Sequence, residues 1–401
     1  MVTLDKVYKA QRALSTVSRK TDVLYSPWLS KNCEVYLKTE NLQVTGSFKL
    51  RGAYFKISEL SEDERKHGVI ACSAGNHAQG VALGAQKNGI KATIYIPAVA
   101  PISKVEATKS YGADVVLVDG VYDDAQAAAI KAAESTGAVM IHPYDDDDVI
   151  AGQGTIALEL LSQLPDLDAV IVPIGGGGLI SGIAYTIKSI NPQCKVYGVQ
   201  AAGAASMVAS QEDNKRTRLS RVSTFADGIA VKKPGKITFD MCHQYVDAFA
   251  TVTDDEIAAA ILALIEQHKL ISEGAGAVAV AAVMFDKFPI NGKNVACIVS
   301  GGNIDVTSLS RVIDRGLLTA GRTGDITIEM LDKPGQLKEV SAIIADLGAN
   351  VVSVHHDHSG ANTDINGCYL RLILETRNHE HLKEIHEALE AAGYKIINTP
   401  V

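Results

Sequence analysis

The chain has 401 residues, of which 47% are hydrophobic and 21% charged, and it carries a formal net charge of −8. At about 150 residues per domain this is roughly two to three domains of an ordinary globular protein, neither disordered nor fibrous. The acidic balance argues against nucleic acid or an anionic membrane surface as the main partner, because both are met by a basic footprint.

The opening residues, MVTLDKVYKAQRAL, lack an apolar h-region, so no secretory signal is expected. The cysteines, Cys33, Cys72, Cys194, Cys242, Cys297 and Cys368, contain no CxxC pair and are expected to be reduced thiols, mostly core residues, in a cytoplasmic protein. The first 320 residues alternate short β-branched runs with helical stretches, the pattern of parallel βαβ units. Predicted strands are GVIACS (68–73), KATIYIP (91–97), DVVLVD (114–119), AVIVPIG (169–175), KVYGVQ (195–200) and NVACIVSGG (294–302). The longest uncharged run, residues 169–187, approaches the length of a membrane span. It contains Pro173 and four consecutive glycines, so a buried strand followed by a loop is expected instead. Thr253, Asp254, Asp255 and Glu256 form a capping box ahead of Ile257, Ile261, Leu264 and Ile265 on one helical face.

Four turns carry residues suited to chemistry. TGSFKLRGA (45–53) sets Lys49 among Phe48, Leu50 and Ala53, where an amine can be desolvated and its pKa lowered as a Schiff-base lysine requires, although a lone helical lysine is usually solvated. SAGNHAQG (73–80) leaves a predicted strand with Ser73, Asn76 and His77 beside helix N-terminal amides; a carboxylate can dock there, or Asn76 can be a helix cap. GGGGLISG (175–182) joins a strand to a helix, and its amides and helix dipole suit a phosphate. It is neither a Walker A loop, since Gly182 is followed by Ile183, nor a GxGxxG motif. SGGN (300–303) ends another strand, and by itself says little.

Residues 325–401 hold 6 basic and 12 acidic residues and have a pattern of their own. DITIEM (325–330) alternates, Leu337, Val340, Ile343, Ile344 and Leu347 recur at helical spacing, and NVVSVHH (350–356), NGCYLRLILET (366–376), a helix near 379–392 and YKII (394–397) follow. The order is βαββαβ, a ferredoxin-like layout. GLLTAGRTG (316–324) is expected to be a glycine-bearing linker.

Taken together and in this order, the four turns resemble the fold-type II pyridoxal-phosphate enzymes, and among them the threonine dehydratases, also called threonine ammonia-lyases. The resemblance extends to FADGIAVKKPG (225–235) and SEGAGA (272–277), and the tail, with DKPGQL (332–337) at its first turn, resembles an ACT domain. It implies a tryptophan synthase β-like catalytic part of two open twisted α/β subdomains over residues 1–320, and a regulatory ACT-like domain over 325–401. By position, Lys49 would bind pyridoxal 5′-phosphate as a Schiff base and act as the base on Cα. Gly175, Gly176, Gly177, Gly178 and Leu179 would cradle its phosphate, Asn76 would bond its 3′-oxygen, and Ser300 would face its ring nitrogen. Ser73, Asn76 and His77 would hold the substrate carboxylate.

A serine facing the ring nitrogen does not enforce its protonation, which favours expulsion of a β-hydroxyl over transamination. The reaction implied is β-elimination from L-threonine to 2-oxobutanoate and ammonia, and from L-serine to pyruvate. Isoleucine or valine is the expected effector, and a homo-oligomer, tetramer or dimer, the expected assembly. Serine racemase and threonine synthase-like activity are the alternatives within the family; outside it are a nicotinamide dehydrogenase and a catalytically dead amino-acid sensor. Racemases carry a second serine where this chain has Ala74, and carboxylates for a divalent cation where it has Gln200, Ala204 and Ser206, so no metal is expected. His355, His356 and His358 in the tail read as surface or interface histidines ahead of a metal site.

Overall fold

A buried helix with glycines on two of its faces organises the larger unit. In the computed structural model, which describes residues 1–357 and 366–397, the chain forms two compact units, Met1–Ser308 and Leu309–Val401. In the first, helix Asp147–Gln163 is buried from Val149 to Leu160. Its Gly152 meets helix Lys49–Ser58 so closely that an added Cβ would lie 2.6 Å from the Cα of Gly52. Its Gly154 meets helix Gly178–Ile190, where a Cβ on Gly182 would lie 2.7 Å from the Gly154 nitrogen. Side chains at these positions would push apart the two helices that open with Lys49 and with the glycine loop.

The predicted strands form at Val69–Cys72, Ala92–Pro97, Asp114–Val118, Ala169–Pro173, Lys195–Ala201 and Asn294–Ile298. They divide between two open sheets, the two-subdomain α/β architecture that the resemblance implies. In the smaller sheet, strands 114–118, 92–97, 69–72 and Val139–Met140 lie in that order, all parallel. The larger runs Val23–Tyr25, Glu34–Lys38, 294–298, 169–173, 195–201 and Ala248–Val252, parallel except for its first pair. Strands 294–298 and 169–173 are parallel neighbours, so SGGN and the glycine loop leave the same edge of the sheet, where open α/β sheets bind ligands. The uncharged run 169–187 is a strand, a glycine turn and a helix, and no helix among the described residues is long and apolar enough to cross a membrane.

Strand Glu34–Lys38 escapes a hydrophobicity reading because its ends are charged, yet Lys38 is fully buried. Its Nζ donates to Glu159 at 2.7 Å, and Glu159 also accepts from Arg51 Nη1 at 2.7 Å. Arg51 Nε reaches Glu40 at 2.8 Å, so two buried cations and two carboxylates satisfy one another two residues beyond Lys49. Deleting one member of such a network costs about 3–5 kcal/mol, since it strands a buried charge. The capping box forms as predicted, with the Thr253 N–H donating to Glu256 at 2.7 Å ahead of helix Asp254–Ala263. Of the thiols, Cys33 is half-buried, the other five are buried, and all are free.

In the second unit, strands Thr323–Leu331, Asn350–Asp357, Gly367–Glu375 and Lys395–Ile397 alternate with helices Gln336–Asp346 and His379–Ala391 as βαββαβ. The antiparallel sheet orders them 350–357, 367–375, 323–331, 395–397, over a core of Ile326, Ile328, Val340, Ile344, Leu370, Leu372 and Ile385. The linker expected at 316–324 is corrected here. Helix Val306–Thr319 runs into it, Gly321 turns the chain at φ +64°, and the first strand begins at Thr323. Gly324 serves packing, since a Cβ there would lie 2.4 Å from Leu382. His358 lies outside the described residues.

Candidate functional site

Backbone pairing joins the lysine turn to SGGN. Ser47 bridges Gly301, the Phe48 N–H donates to the Ser300 carbonyl at 3.1 Å, and the Gly302 N–H donates to that of Gly46 at 2.9 Å. Lys49, the first residue of its helix, is thereby set beside Ser300, which is 2% exposed and donates through Oγ to the Ala275 carbonyl at 3.3 Å. Lys49 Nζ donates to the Pro143 carbonyl at 2.8 Å. Burial lowers its pKa to about 8 against the upward pull of Glu273, the desolvated amine that the sequence suggests.

The second turn brings a correction. Gly75, not Asn76, is the N-cap of helix Asn76–Asn88, and it caps without a side-chain bond. The Asn76 amide is used across the fold instead: Nδ2 donates to Glu273 at 2.6 Å and Oδ1 accepts from Asn303 Nδ2 at 2.8 Å. Asn303 also donates to the Thr45 carbonyl at 2.7 Å, so one side chain ties three of the four turns together. Ser73 Oγ accepts from the Gly75 N–H at 3.2 Å. His77 is buried, with Nε2 held 2.8 Å from the Ile141 carbonyl, and burial drops its pKa to about 3. It is a neutral ring with Nε2–H as donor. The first amides of this helix have no partner within the helix and remain available to an anion.

Gly177 is the N-cap of helix Gly178–Ile190 at φ +103°, a conformation that only glycine takes without strain. Thr238 Oγ1 fixes the loop by donating to the Gly176 carbonyl at 2.6 Å, and a Cβ on Gly176 would lie 2.4 Å from the Tyr144 ring. The sequence-predicted residues Lys49, Ser73, Asn76, His77, Gly175, Gly176, Gly177, Gly178, Leu179 and Ser300 all line one cavity of about 620 Å³.

Reasoning from sequence gave no role to Glu273, Asn303 or Tyr144, which line the same cavity. Glu273 is buried, and desolvation, with Asp227 adding to it, raises its pKa to about 7. Its signal was a carboxylate heading the wholly apolar helix Gly274–Met284; Tyr144 had none. Gln200 spends its amide on the protein, donating to Ile174 and Ala204 carbonyls and accepting from the Met207 and Val208 N–H groups.

The residues present fit pyridoxal phosphate. The cavity offers one desolvated amine, a side-chain-free loop on a helix N-terminus for the phosphate, and a buried hydroxyl that can meet a neutral ring nitrogen. Comparison with known proteins agrees. Residues 14–301 match the family model described as pyridoxal-phosphate dependent enzyme, and residues 320–393 that of the ACT domain. An L-threonine ammonia-lyase of Thermotoga maritima is 52% identical over 398 residues, 99% of each chain. The processed form of threonine deaminase isoform 2 from Solanum lycopersicum superposes with a TM-score of 0.74 at 40% identity, over 79% of this chain and 90% of that one. Maize serine racemase also gives 0.74, at 35% identity, over 79% and 98%.

Proposed function

The chain belongs to the pyridoxal-phosphate dependent enzymes and ends in an ACT domain, and from that premise we propose that it eliminates water and ammonia from L-threonine, giving 2-oxobutanoate. The observation that carries this reading is the convergence of Lys49, Ser73, Asn76, the glycine loop and Ser300 on one cavity. The name of the Thermotoga maritima relative supports threonine as the substrate. L-Serine, one methyl smaller, fits the same chemistry and yields pyruvate.

Bound at Lys49, pyridoxal phosphate would supply an electron sink for loss of the Cα proton. The chain's own residues do the rest. Once substrate has displaced it, the Lys49 amine, with its pKa near 8, has a substantial neutral fraction in weakly alkaline solution and takes the Cα proton through Nζ. Ser73 and the leading amides of helix 76–88, those of Asn76 and His77 among them, hold the carboxylate; both side chains are already engaged, Asn76 with Glu273 and Asn303 and the His77 ring with Ile141. Gly175 to Gly178 and Leu179 would hold the phosphate through amides and helix dipole. Ser300, neutral and buried, would face the ring nitrogen without enforcing its protonation, which would favour loss of the β-hydroxyl over transamination.

Ala74 lines the cavity where a second acid/base hydroxyl would be needed on the opposite face of Cα, which favours elimination over racemisation. Residues 1–320 act as the catalytic part and 325–401 as the regulatory part, reading isoleucine or valine in a homo-oligomeric enzyme, a dimer or tetramer. The free cysteines support work in the reducing cytoplasm. The test is turnover of L-threonine and L-serine with no second substrate, following oxo acid, ammonia and D-serine. Oxo acid and ammonia are expected in equal amounts with little D-serine, and Lys49→Ala abolishes both turnover and the visible absorbance of the bound cofactor. Racemisation as fast as elimination, or an active Lys49→Ala enzyme, refutes the reading.

A further inference from the structure

The register of the C-terminal sheet brings three metal-binding side chains to one end of one face. Cys368 pairs with Met330 across strands 367–375 and 323–331, and His356 pairs with Leu370 across strands 350–357 and 367–375. Residues two apart on a strand share a face. Cys368 and Leu370 therefore lie on the same face as their partners Met330 and His356, and Asp332, two residues beyond Met330, follows them. Leu370 is fully buried, which identifies this as the core face. Past Leu370 the apolar core gives way to a thiol, an imidazole and a carboxylate.

Their ligating atoms all lie within 4.8 Å of one another, with His356 Nε2 3.9 Å from Asp332 Oδ1. A tetrahedral zinc ion with bonds of about 2.0 Å to N and O and 2.3 Å to S separates its ligands by about 3.3–3.5 Å, so closing on an ion takes small side-chain rotations. Cys368 is buried, while Asp332 and His356 are partly exposed, their side chains 47% and 40% accessible, leaving a route from solvent. His355 pairs with Arg371 and faces the other way.

We propose that the ACT unit binds a divalent transition-metal ion of the zinc class through Asp332, His356 and Cys368. The soft thiolate selects against magnesium and calcium, which take oxygen ligands. Coordination replaces the Cys368 thiol proton, which leaves to solvent, with a sulfur–metal bond, and no electron is transferred. Three protein ligands leave a fourth position for water.

The test uses the full-length holoenzyme without an affinity tag, stripped by dialysis against a chelator. Zinc is titrated calorimetrically, and cobalt by visible difference absorption against the unloaded holoenzyme. An equimolar amount of ion per chain is expected, with the intense long-wavelength bands of tetrahedral cobalt. His356→Gln and Cys368→Ala should each weaken binding by more than about 100-fold, beyond the roughly 10- to 100-fold that loss of an outer-sphere partner costs. His355→Gln should leave it unchanged. Should Cys368→Ala destabilise the core, His356→Gln decides, because that side chain is partly exposed at the end of the sheet and lies outside the apolar core. No retained ion, a pale octahedral cobalt spectrum, or binding that survives His356→Gln overturns the proposal.

Discussion

Replacing Glu273 with Gln isolates the electrostatic cost built into the cavity. Burial raises this carboxyl from 4.5 to about 7, so the folded chain holds its proton more tightly than the unfolded chain does. The stability contributed by that proton is present in full below about pH 4.5 and is lost as pH rises through about 7. The displacement corresponds to roughly 3 kcal/mol. Glutamine keeps the acceptor for Asn76 Nδ2, now 2.6 Å from Glu273 Oε1, and does not titrate. The variant is therefore expected to gain stability over the parent by roughly 3 kcal/mol between pH 4.5 and pH 8. His77, whose depressed pKa destabilises the fold as pH falls below its ordinary range, is common to both proteins and cancels in the difference. Urea unfolding of the cofactor-free proteins at a series of pH values measures this, read through the fluorescence of Trp28. That residue is the single tryptophan and lies in the Met1–Ser308 unit, so the C-terminal unit is silent. A stability difference flat to within about 0.5 kcal/mol across the range would show that Glu273 ionises freely.

Gly177→Ala forces a side chain into a left-handed conformation and sets its Cβ 2.7 Å from that of Thr238. Strain of about 1–3 kcal/mol should weaken pyridoxal phosphate reconstitution roughly 5- to 150-fold, and an unchanged titration of the cofactor-free enzyme would deny the loop its role. Ending the chain after Arg322 removes the second unit's sheet from its first strand onward. Threonine turnover should persist while any response to isoleucine or valine, worth about 1–3 kcal/mol of coupling, disappears. Equal sensitivity in full-length and shortened enzymes would place the effector site in the catalytic part.

What could be read from the chain by itself was whatever depends on neighbours in sequence. The strand-to-glycine-turn-to-helix pattern at GGGGLISG, the lysine among apolar residues in TGSFKLRGA and the βαββαβ rhythm of the tail are short-range features, and each appears where the residues place it. The helix that overran the expected linker shows the limit: glycine is read from sequence as freedom, but Gly324 is glycine because Leu382, far along the chain, needs the room. Likewise Asn76 was open between helix cap and ligand. Gly75 caps the helix instead, and the Asn76 amide goes to Glu273 and Asn303, 197 and 227 residues away. Lys49 and Glu273 carry ordinary pKa values in the unfolded chain, and only the removal of water around them by packed neighbours brings both near neutrality. Residue types and their local order determined which chemistry this protein can carry. The tertiary structure decided which groups are desolvated together, because burial and long-range hydrogen bonds belong to the assembled fold and to no segment of it.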